Sequence, residues 1–195
     1  MMPTRHENLV ANLVGQVRRE RLNGRDHFVA PITLIVPGVL SGSKGPLLYP
    51  LDELKNSVKQ WEKVPLVVYH PHRNGKPVSA HSEGILDKSG VGFLADCKIQ
   101  NGKLVAEGWF DAEKTKLVDP RVYEALINGS KMEISTGLGV TAEEAPPGSS
   151  WLGQPYVAIA RNHRPDHLAL LPTDQRGACS LNDGCGLLAN VLEDQ

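Results

Sequence analysis

Hydrophobic residues near the start of the chain recur with the period of a helix. Between Glu7 and Glu20 the apolar positions repeat at intervals of three and four residues, at Leu9, Val10, Leu13, Val14 and Val17. Arginines at 18, 19 and 21 and then Asn23-Gly24 follow, as is typical of the C-terminal end of a helix. The pattern predicts an amphipathic arm over residues 1–20 that packs on the rest of the protein or docks a partner.

After this segment, short stretches that alternate or are rich in β-branched residues are typical of strands. Pro31 indicates a bulge or a sheet edge in the first of them, and Asn101-Gly102 indicates a tight hairpin between two others. The sequence predicts strands at residues 28–36, 64–69, 84–87, 92–99, 103–110, 132–140, 156–161 and 167–171.

Helices and loops separate these strands. The stretch from Asp111 to Asn128 has a helical pattern that breaks at Asp119-Pro120, and loops are predicted at 38–46 and 145–150. A short helix beginning near Pro50 is indicated by the spacing of Leu51, Leu54, Val58 and Trp61.

Seven or eight short strands with two or three helices, and no regular strand–helix–strand alternation, favour a mainly β fold. We expect an antiparallel β-barrel with peripheral helices. The 195 residues suffice for one domain, which we assign to residues 21–176. Residues 177–195 are weakly patterned and are expected to form a C-terminal tail.

Composition narrows the possible partners and the compartment. The 21 basic and 22 acidic side chains nearly cancel, which argues against nucleic acid or an anionic membrane as a partner. The chain has no apolar run of membrane-spanning length and no signal-peptide pattern at its start. Its three cysteines, an odd and low number, suggest reduced thiols. Cys179 and Cys185 are close enough to pair or to share a metal, but a structural zinc needs four ligands.

Histidine and serine supply the candidate chemistry. His70 ends an apolar strand and precedes Pro71, which places its imidazole at a sheet end. Ser135 lies on the polar face of its predicted strand, and Gly137 on the same face leaves room for a substrate backbone. A serine becomes a nucleophile only with a base in hydrogen-bond reach. His167 begins a later strand, and an antiparallel barrel could bring the three side chains together.

The same residues are compatible with roles that involve no serine chemistry. His70 could cap a core strand, and Ser135 could be an ordinary surface serine. A metal gathered from loops by His70, His72, His163 and His167 is a further alternative. Pro165 rules out the helical spacing that would otherwise make His163 and His167 a ligand pair.

Three segments, taken in order, resemble the tailed-phage prohead (capsid maturation) proteases, in particular a branch associated with phages and prophages. They are His70-Pro71, Ser135-Thr136-Gly137 and the Asp-His-Leu-Ala-Leu-Leu-Pro segment at 166–172. The ending at 177–186 also resembles that branch. More distantly, the order histidine, serine, histidine is similar to the herpesvirus assemblins, which are β-barrel serine proteases.

The resemblance implies a serine endopeptidase in which Ser135 is the nucleophile, His70 the general base and His167 the third member. Many prohead proteases carry a carboxylate at the third position, so Asp166 is the alternative to His167. Gln175 and Arg176 fall where assemblins have their oxyanion loop. The resemblance implies no cofactor and no metal.

The resemblance also implies a biological setting. The substrates would be phage scaffold and major capsid proteins, with the tail at 177–195 as a candidate self-processing region. The enzyme would work as a homo-oligomer inside the assembling procapsid, in the cytoplasm of the host bacterium. Two hypotheses from other classes remain: a catalytically inactive capsid-assembly protein with the same fold, and a histidine-based metal-dependent hydrolase. Either His72 or His81 could line the substrate cleft.

Overall fold

The computed structural model describes residues 17–188. The strands are β1 (Arg18–Leu22), β2 (Arg25–Ile35), β3 (Gly38–Gly42), β4 (Gly45–Tyr49), β5 (Pro65–Val68), β6 (His72–Arg73), β7 (Lys76–Pro77), β8 (Gly90–Gln100), β9 (Lys103–Asp111), β10 (Glu133–Glu144), β11 (Ser150–Trp151), β12 (Gln154–Pro155), β13 (Ala158–Leu171) and β14 (Gly186–Leu187). The helices are α1 (Leu51–Ser57), α2 (Ile85–Ser89), α3 (Ala112–Val118) and α4 (Pro120–Asn128), with 3-10 turns at Val58–Trp61 and Leu181–Asp183.

Ten of these strands form one sheet. Its main path is β1-β2-β9-β8-β5-β13-β4-β3, with β10 paired to β13 and β14 paired to β2. Strands hold 51% of the described residues and helices 20%, which confirms the mainly β prediction. Most neighbours are antiparallel, but β13 runs parallel to both β4 and β5. The sheet is therefore mixed: it is mainly antiparallel, as expected, with two parallel pairings that the sequence did not predict.

The core lies between the sheet and its helices. All four residues of β5 are buried, as expected for a strand covered on both faces. Leu54 of α1 and Trp61 of the following 3-10 turn are fully buried against the strands. The Trp61 indole N–H donates to the hydroxyl of Ser57, so the polar edge of this large ring is satisfied inside the core.

Several local predictions are confirmed. β8 and β9 form a hairpin around Asn101-Gly102. The helical stretch after β9 breaks at Asp119, which ends α3 and caps α4 by accepting the N–H of Arg121 at 3.0 Å. The helix after Pro50 is also present, as α1.

Three local predictions are wrong. Residues 38–46 are part of the β3–β4 hairpin rather than a loop, and residues 84–87 begin α2 rather than a strand. Residues 158–161 and 167–171 of the two predicted strands belong to the single strand β13, which continues through Pro165. This proline is tolerated because the β10–β13 register shifts beside it, between Gly137 and Leu138.

The N-terminal arm differs from the expectation in its last residues. Arg18, Arg19 and Glu20 belong to β1 and pair with β2 instead of ending a helix. An ion pair between Arg18 and Glu107 of β9, 2.7 Å long, links this edge strand to the sheet. The rest of the predicted helix, residues 7–16, lies outside the described residues.

The described part of the expected C-terminal tail, residues 177–188, packs on the sheet. Cys179 and Cys185 form a disulfide, so the expectation of reduced thiols is wrong for this pair. β14 pairs with β2, and Leu187 is fully buried. Cys97 is a free, buried thiol whose pKa is raised to about 12 by burial and by the nearby Glu62 carboxylate. Within residues 17–188, no helix is long and apolar enough to cross a membrane.

Candidate active site

Three neighbouring strands carry the candidate residues. β13 lies between β10 and β5, antiparallel to the first and parallel to the second. Ser135 on β10 is opposite Ala169 of β13, and His167 is two residues before Ala169 on the same face of that strand. His70 follows β5 by two residues. The topology therefore gathers side chains that are 65 and 97 positions apart in the sequence.

The three predicted side chains form a continuous hydrogen-bonded chain. Ser135 Oγ is 2.8 Å from His70 Nε2, and His70 Nδ1 is 2.7 Å from His167 Nε2. The two imidazole rings meet edge to face, with centroids 5.0 Å apart. These distances lie within the reach that proton transfer between a nucleophile and its base requires.

Asp166 extends this chain by one more member. Its Oδ2 accepts the Nδ1–H of His167 at 2.7 Å and the backbone N–H of Ala80 at 2.8 Å. Its other oxygen accepts a short hydrogen bond from the Ser79 hydroxyl. His167 and Asp166 are therefore not alternatives for one position: His167 contacts His70 directly, and Asp166 holds His167.

The carboxylate decides the direction of every hydrogen bond in the chain. An ionised Asp166 can only accept, so His167 Nδ1 carries the proton of that bond. A His167 ring that carries this single proton accepts at Nε2 from the Nδ1–H of His70. His70 Nε2 is then unprotonated and can accept a hydrogen bond from the Ser135 hydroxyl. Reversing any one bond would place an N–H against the serine and remove the base.

The surroundings of His70 and Asp166 shift the pKa values of both groups. Burial lowers the pKa of His70 to about 4, with smaller contributions in the same direction from the neighbouring His167 and His72. His70 is therefore neutral near pH 7. Burial works against ionisation of Asp166, but the hydrogen bonds from Ser79, Ala80 and His167 outweigh it and hold the pKa of Asp166 below its usual value.

Gly137 has a different role from the predicted one. The expectation was open space above this residue for a substrate backbone. Instead the His167 ring fills that space: a Cβ on Gly137 would be 2.2 Å from His167 Cε1. Gly137 is the cross-strand partner of His167, and the missing side chain lets the imidazole lie over the neighbouring strand.

The predicted oxyanion residues lie in the loop after β13. Gln175 and Arg176 are exposed, and neither makes a hydrogen bond or an ion pair with another described residue. The next residue, Gly177, lies so close to β10 that a Cβ there would be 1.9 Å from the carbonyl oxygen of Ile134. Glu133 holds the loop by accepting the N–H of Leu181 at 3.1 Å. The loop therefore passes directly beside the strand that carries Ser135.

The other histidines named from the sequence, at positions 72, 81 and 163, are not members of this hydrogen-bonded chain. His72 is exposed, and its Nδ1 is 2.9 Å from the carbonyl oxygen of His70. His81 is exposed in the turn after Ser79, and its backbone N–H donates a hydrogen bond to the Ser79 hydroxyl. His163 is buried, which lowers its pKa, and its Nε2 is 3.1 Å from the carbonyl oxygen of Ala160.

Sequence reasoning missed the residues that support Asp166. Ser79 and Ala80 lie in a short polar turn with no periodic pattern, and nothing in that stretch indicates a contact with a residue 86 positions away. Within residues 17–188, no group of three or more histidine, cysteine or acidic side chains has the geometry to hold a metal ion. The metal-dependent hypothesis therefore finds no ligand set in this part of the chain.

The chain matches no protein-family model, no curated protein and no solved structure among those with which it was compared. The functional interpretation therefore rests on the geometry of this site and on the resemblance of its three sequence segments.

Replacing Gly137 with alanine should displace the His167 ring. We expect a loss of about 1–3 kcal/mol in the free energy of unfolding, as for other overpacked sites. The rate at which a fluorophosphonate modifies Ser135 should also fall, because His70 loses its partner. Denaturant unfolding and intact-mass spectrometry measure the two effects. Gly42→Ala, at the exposed end of β3 where the new Cβ would come no closer than 3.7 Å to a neighbour, is the control for modification. An unchanged modification rate in Gly137→Ala would contradict this account of the glycine.

The pH dependence of Ser135 modification should report the lowered pKa of His70. Because only neutral His70 accepts the serine proton, the rate should stay constant from about pH 7 to about pH 5. It should then fall as pH approaches about 4, where His70 becomes protonated. Circular dichroism at each pH checks that the fold persists. A decline centred near 6.5, the ordinary value for histidine, would contradict the effect of burial on His70.

Proposed function

We propose that the protein is a serine endopeptidase that acts in phage capsid maturation. The observation that carries the proposal is the continuous chain Ser135–His70–His167–Asp166, with consecutive distances of 2.8, 2.7 and 2.7 Å. A serine, a base and an orienting group in contact are the arrangement that activates a hydroxyl for attack on an amide.

In the proposed mechanism, Ser135 Oγ attacks the carbonyl carbon of a peptide bond while His70 Nε2 takes the hydroxyl proton. The positive charge that develops on His70 is stabilised by His167, whose lone pair accepts the Nδ1–H. His70 then gives its proton to the leaving amine, and an acyl-enzyme remains on Ser135. Water attacks this ester with His70 again as the base, which releases the new carboxylate and restores the serine.

The oxyanion of each tetrahedral intermediate needs donors beside Ser135. In the proposal the loop at 175–177 supplies them, since Gly177 lies against the carbonyl oxygen of Ile134, the residue before the nucleophile. Arg176 has no ion-pair partner among the described residues, so its guanidinium is available to this site. Each such donor contributes about 3–4 kcal/mol to transition-state stabilisation in proteases that have been studied.

The open edge of β10 supports a polypeptide substrate over a small molecule. β10 pairs with β13 along one side from Glu133 to Glu144. On its other side, the described pairing is the bridge between Met132 and Leu187, just before the strand begins. The unpaired backbone beyond Ser135 can form a ladder with an extended peptide and guide it across the nucleophile.

The strand pairings also support the proposed barrel. Neighbouring strands run from β2 through β9, β8, β5 and β13 to β10. The Met132–Leu187 bridge joins the start of β10 to β14, and β14 pairs with β2. We propose that this circuit closes the sheet into the barrel that the family resemblance implies.

The resemblance supplies the biological part of the proposal: scaffold and major capsid proteins as substrates, cleaved by an oligomer inside the procapsid. A neutral histidine stabilises the charged base less than a carboxylate in the same position would, so we expect slow turnover. Confinement with the substrate at high local concentration compensates for a slow enzyme.

Replacing Ser135 with alanine should abolish proteolysis without affecting the fold. Wild-type protein co-expressed with its scaffold or coat protein should shorten that partner, and Ser135→Ala should leave it at full length. A fluorophosphonate should add one adduct to the wild type, on Ser135, and none to the variant. Ser41→Ala, on the exposed part of β3, is the matched control. Equal processing by wild type and Ser135→Ala would remove this residue from the mechanism.

Replacing Asp166 with alanine should remove the acceptor that sets the direction of the hydrogen-bonded chain. Without it, His167 can adopt the tautomer that turns an N–H of His70 toward Ser135. We expect Ser135 modification to slow by about 100-fold, because the base is no longer held in the right tautomer. Asp87→Ala, on the exposed side of α2, is the control. A rate within about twofold of the wild type would show that His167 is oriented without the carboxylate.

The same experiments separate the two competing hypotheses. An assembly protein without catalysis would leave its partners intact in wild type and variant alike, and would bind no fluorophosphonate. A metal-dependent hydrolase would contain stoichiometric zinc after purification and would lose activity with a chelator while Ser135→Ala kept it.

A further inference from the structure

The chain changes its backbone conformation immediately before His70. Tyr69 follows the last residue of β5 and has a φ of 61°. This is the left-handed region, which glycine and asparagine adopt readily and a bulky L residue adopts rarely. A tyrosine therefore holds a strained conformation at the residue next to the proposed base.

The alternation of side chains along β5 explains what this conformation achieves. Val67 pairs with Ala169, and both belong to the small cluster on the face of β13 that also carries His167. Leu66 and Val68 face the main core on the other side. If the strand continued regularly, Tyr69 would lie on the Val67 face and His70 on the core face. The base would then lie on the wrong side of the sheet.

Hydrogen bonds of the backbone N–H and of the side-chain hydroxyl hold Tyr69 in this conformation. Its backbone N–H donates to the carbonyl oxygen of Leu170 at 3.0 Å, which ties the turn to β13. Its hydroxyl accepts from Arg121 Nη2 at 3.0 Å. The Arg121 guanidinium in turn donates two hydrogen bonds, 3.0 and 2.6 Å long, to the Asp119 carboxylate at the start of α4. The Asp119 side chain is only 8% exposed, so this anchor is part of the folded body.

We propose that Tyr69 is a positioning residue for the catalytic base: its left-handed backbone turns His70 from the core face of the sheet to the face that carries Ser135 and His167. This inference rests on the proposed function. It explains the strained backbone of Tyr69 by a role in the site. It also means that a tyrosine outside the hydrogen-bonded chain determines where the His70 imidazole lies.

The test compares substitutions that lose the same ring but differ in backbone preference. Asparagine tolerates the left-handed region, whereas valine disfavours it because its Cβ is branched. We expect Tyr69→Asn to be modified by a fluorophosphonate on Ser135 at least about tenfold faster than Tyr69→Val. A role in packing alone predicts the opposite order, since valine is the apolar replacement. Tyr69→Gly against Tyr69→Ala repeats the comparison with smaller side chains, should the valine variant fail to fold.

Tyr156→Asn and Tyr156→Val are the matched controls, because Tyr156 is half-buried and has no left-handed φ. Their modification rates should not follow the order expected at position 69. Thermal unfolding of all variants shows whether a change in the modification rate follows from a loss of stability. A valine variant as fast as the asparagine variant, with alanine as fast as glycine, would overturn the proposal.

A second readout separates this proposal from the proposed function. The nitrogen-15 resonances of His70 report its tautomer and hydrogen bonds whether or not the protein is an enzyme. If wild type is not modified on Ser135, the protease proposal fails and these resonances decide the role of Tyr69. We expect the wild-type Nδ1–H signal in the asparagine and glycine variants and its loss in the valine variant. Identical His70 signals in all variants would overturn the positioning role.

Discussion

The site depends on a single carboxylate that can only accept hydrogen bonds. Asp166 lies at the end of the chain, and its bond to His167 determines where each proton of both imidazoles resides. The hydroxyl of Ser79 and the N–H of Ala80 keep this carboxylate ionised and fix its orientation. Through two imidazole rings, a partly exposed acid is thus linked by hydrogen bonds to a serine at the far end.

Strand geometry makes this chain possible. A central strand with an antiparallel neighbour on one side and a parallel neighbour on the other brings β10, β13 and the end of β5 together. Two positions depart from regular strand structure in order to seat the rings. Gly137 has no side chain under His167, and Tyr69 turns the chain before His70. Local irregularities of this kind are expected where geometry is selected for chemistry.

The candidate residues could be named from the sequence because they lie in short segments with clear patterns. His70 ends an apolar strand, Ser135 is on the polar face of an alternating strand, and His167 opens another. The supporting residues could not be named in this way. The side chains of Ser79 and Tyr69 form hydrogen bonds with residues 87 and 52 positions away. Sequence patterns that extend over a few residues do not predict such contacts.

The sequence by itself determined the strand-rich character of the chain, the hairpin at Asn101-Gly102, the break at Asp119 and the identity of the candidate site residues. These follow from periodicity and turn chemistry, which act over a few residues. Only the tertiary structure decided that β13 is one strand running parallel to β5 and that the His167 ring lies over Gly137. It also decided that His167 and Asp166 follow one another in the hydrogen-bonded chain from His70. Such features depend on which strands become neighbours, and that choice is made by burial over the whole core.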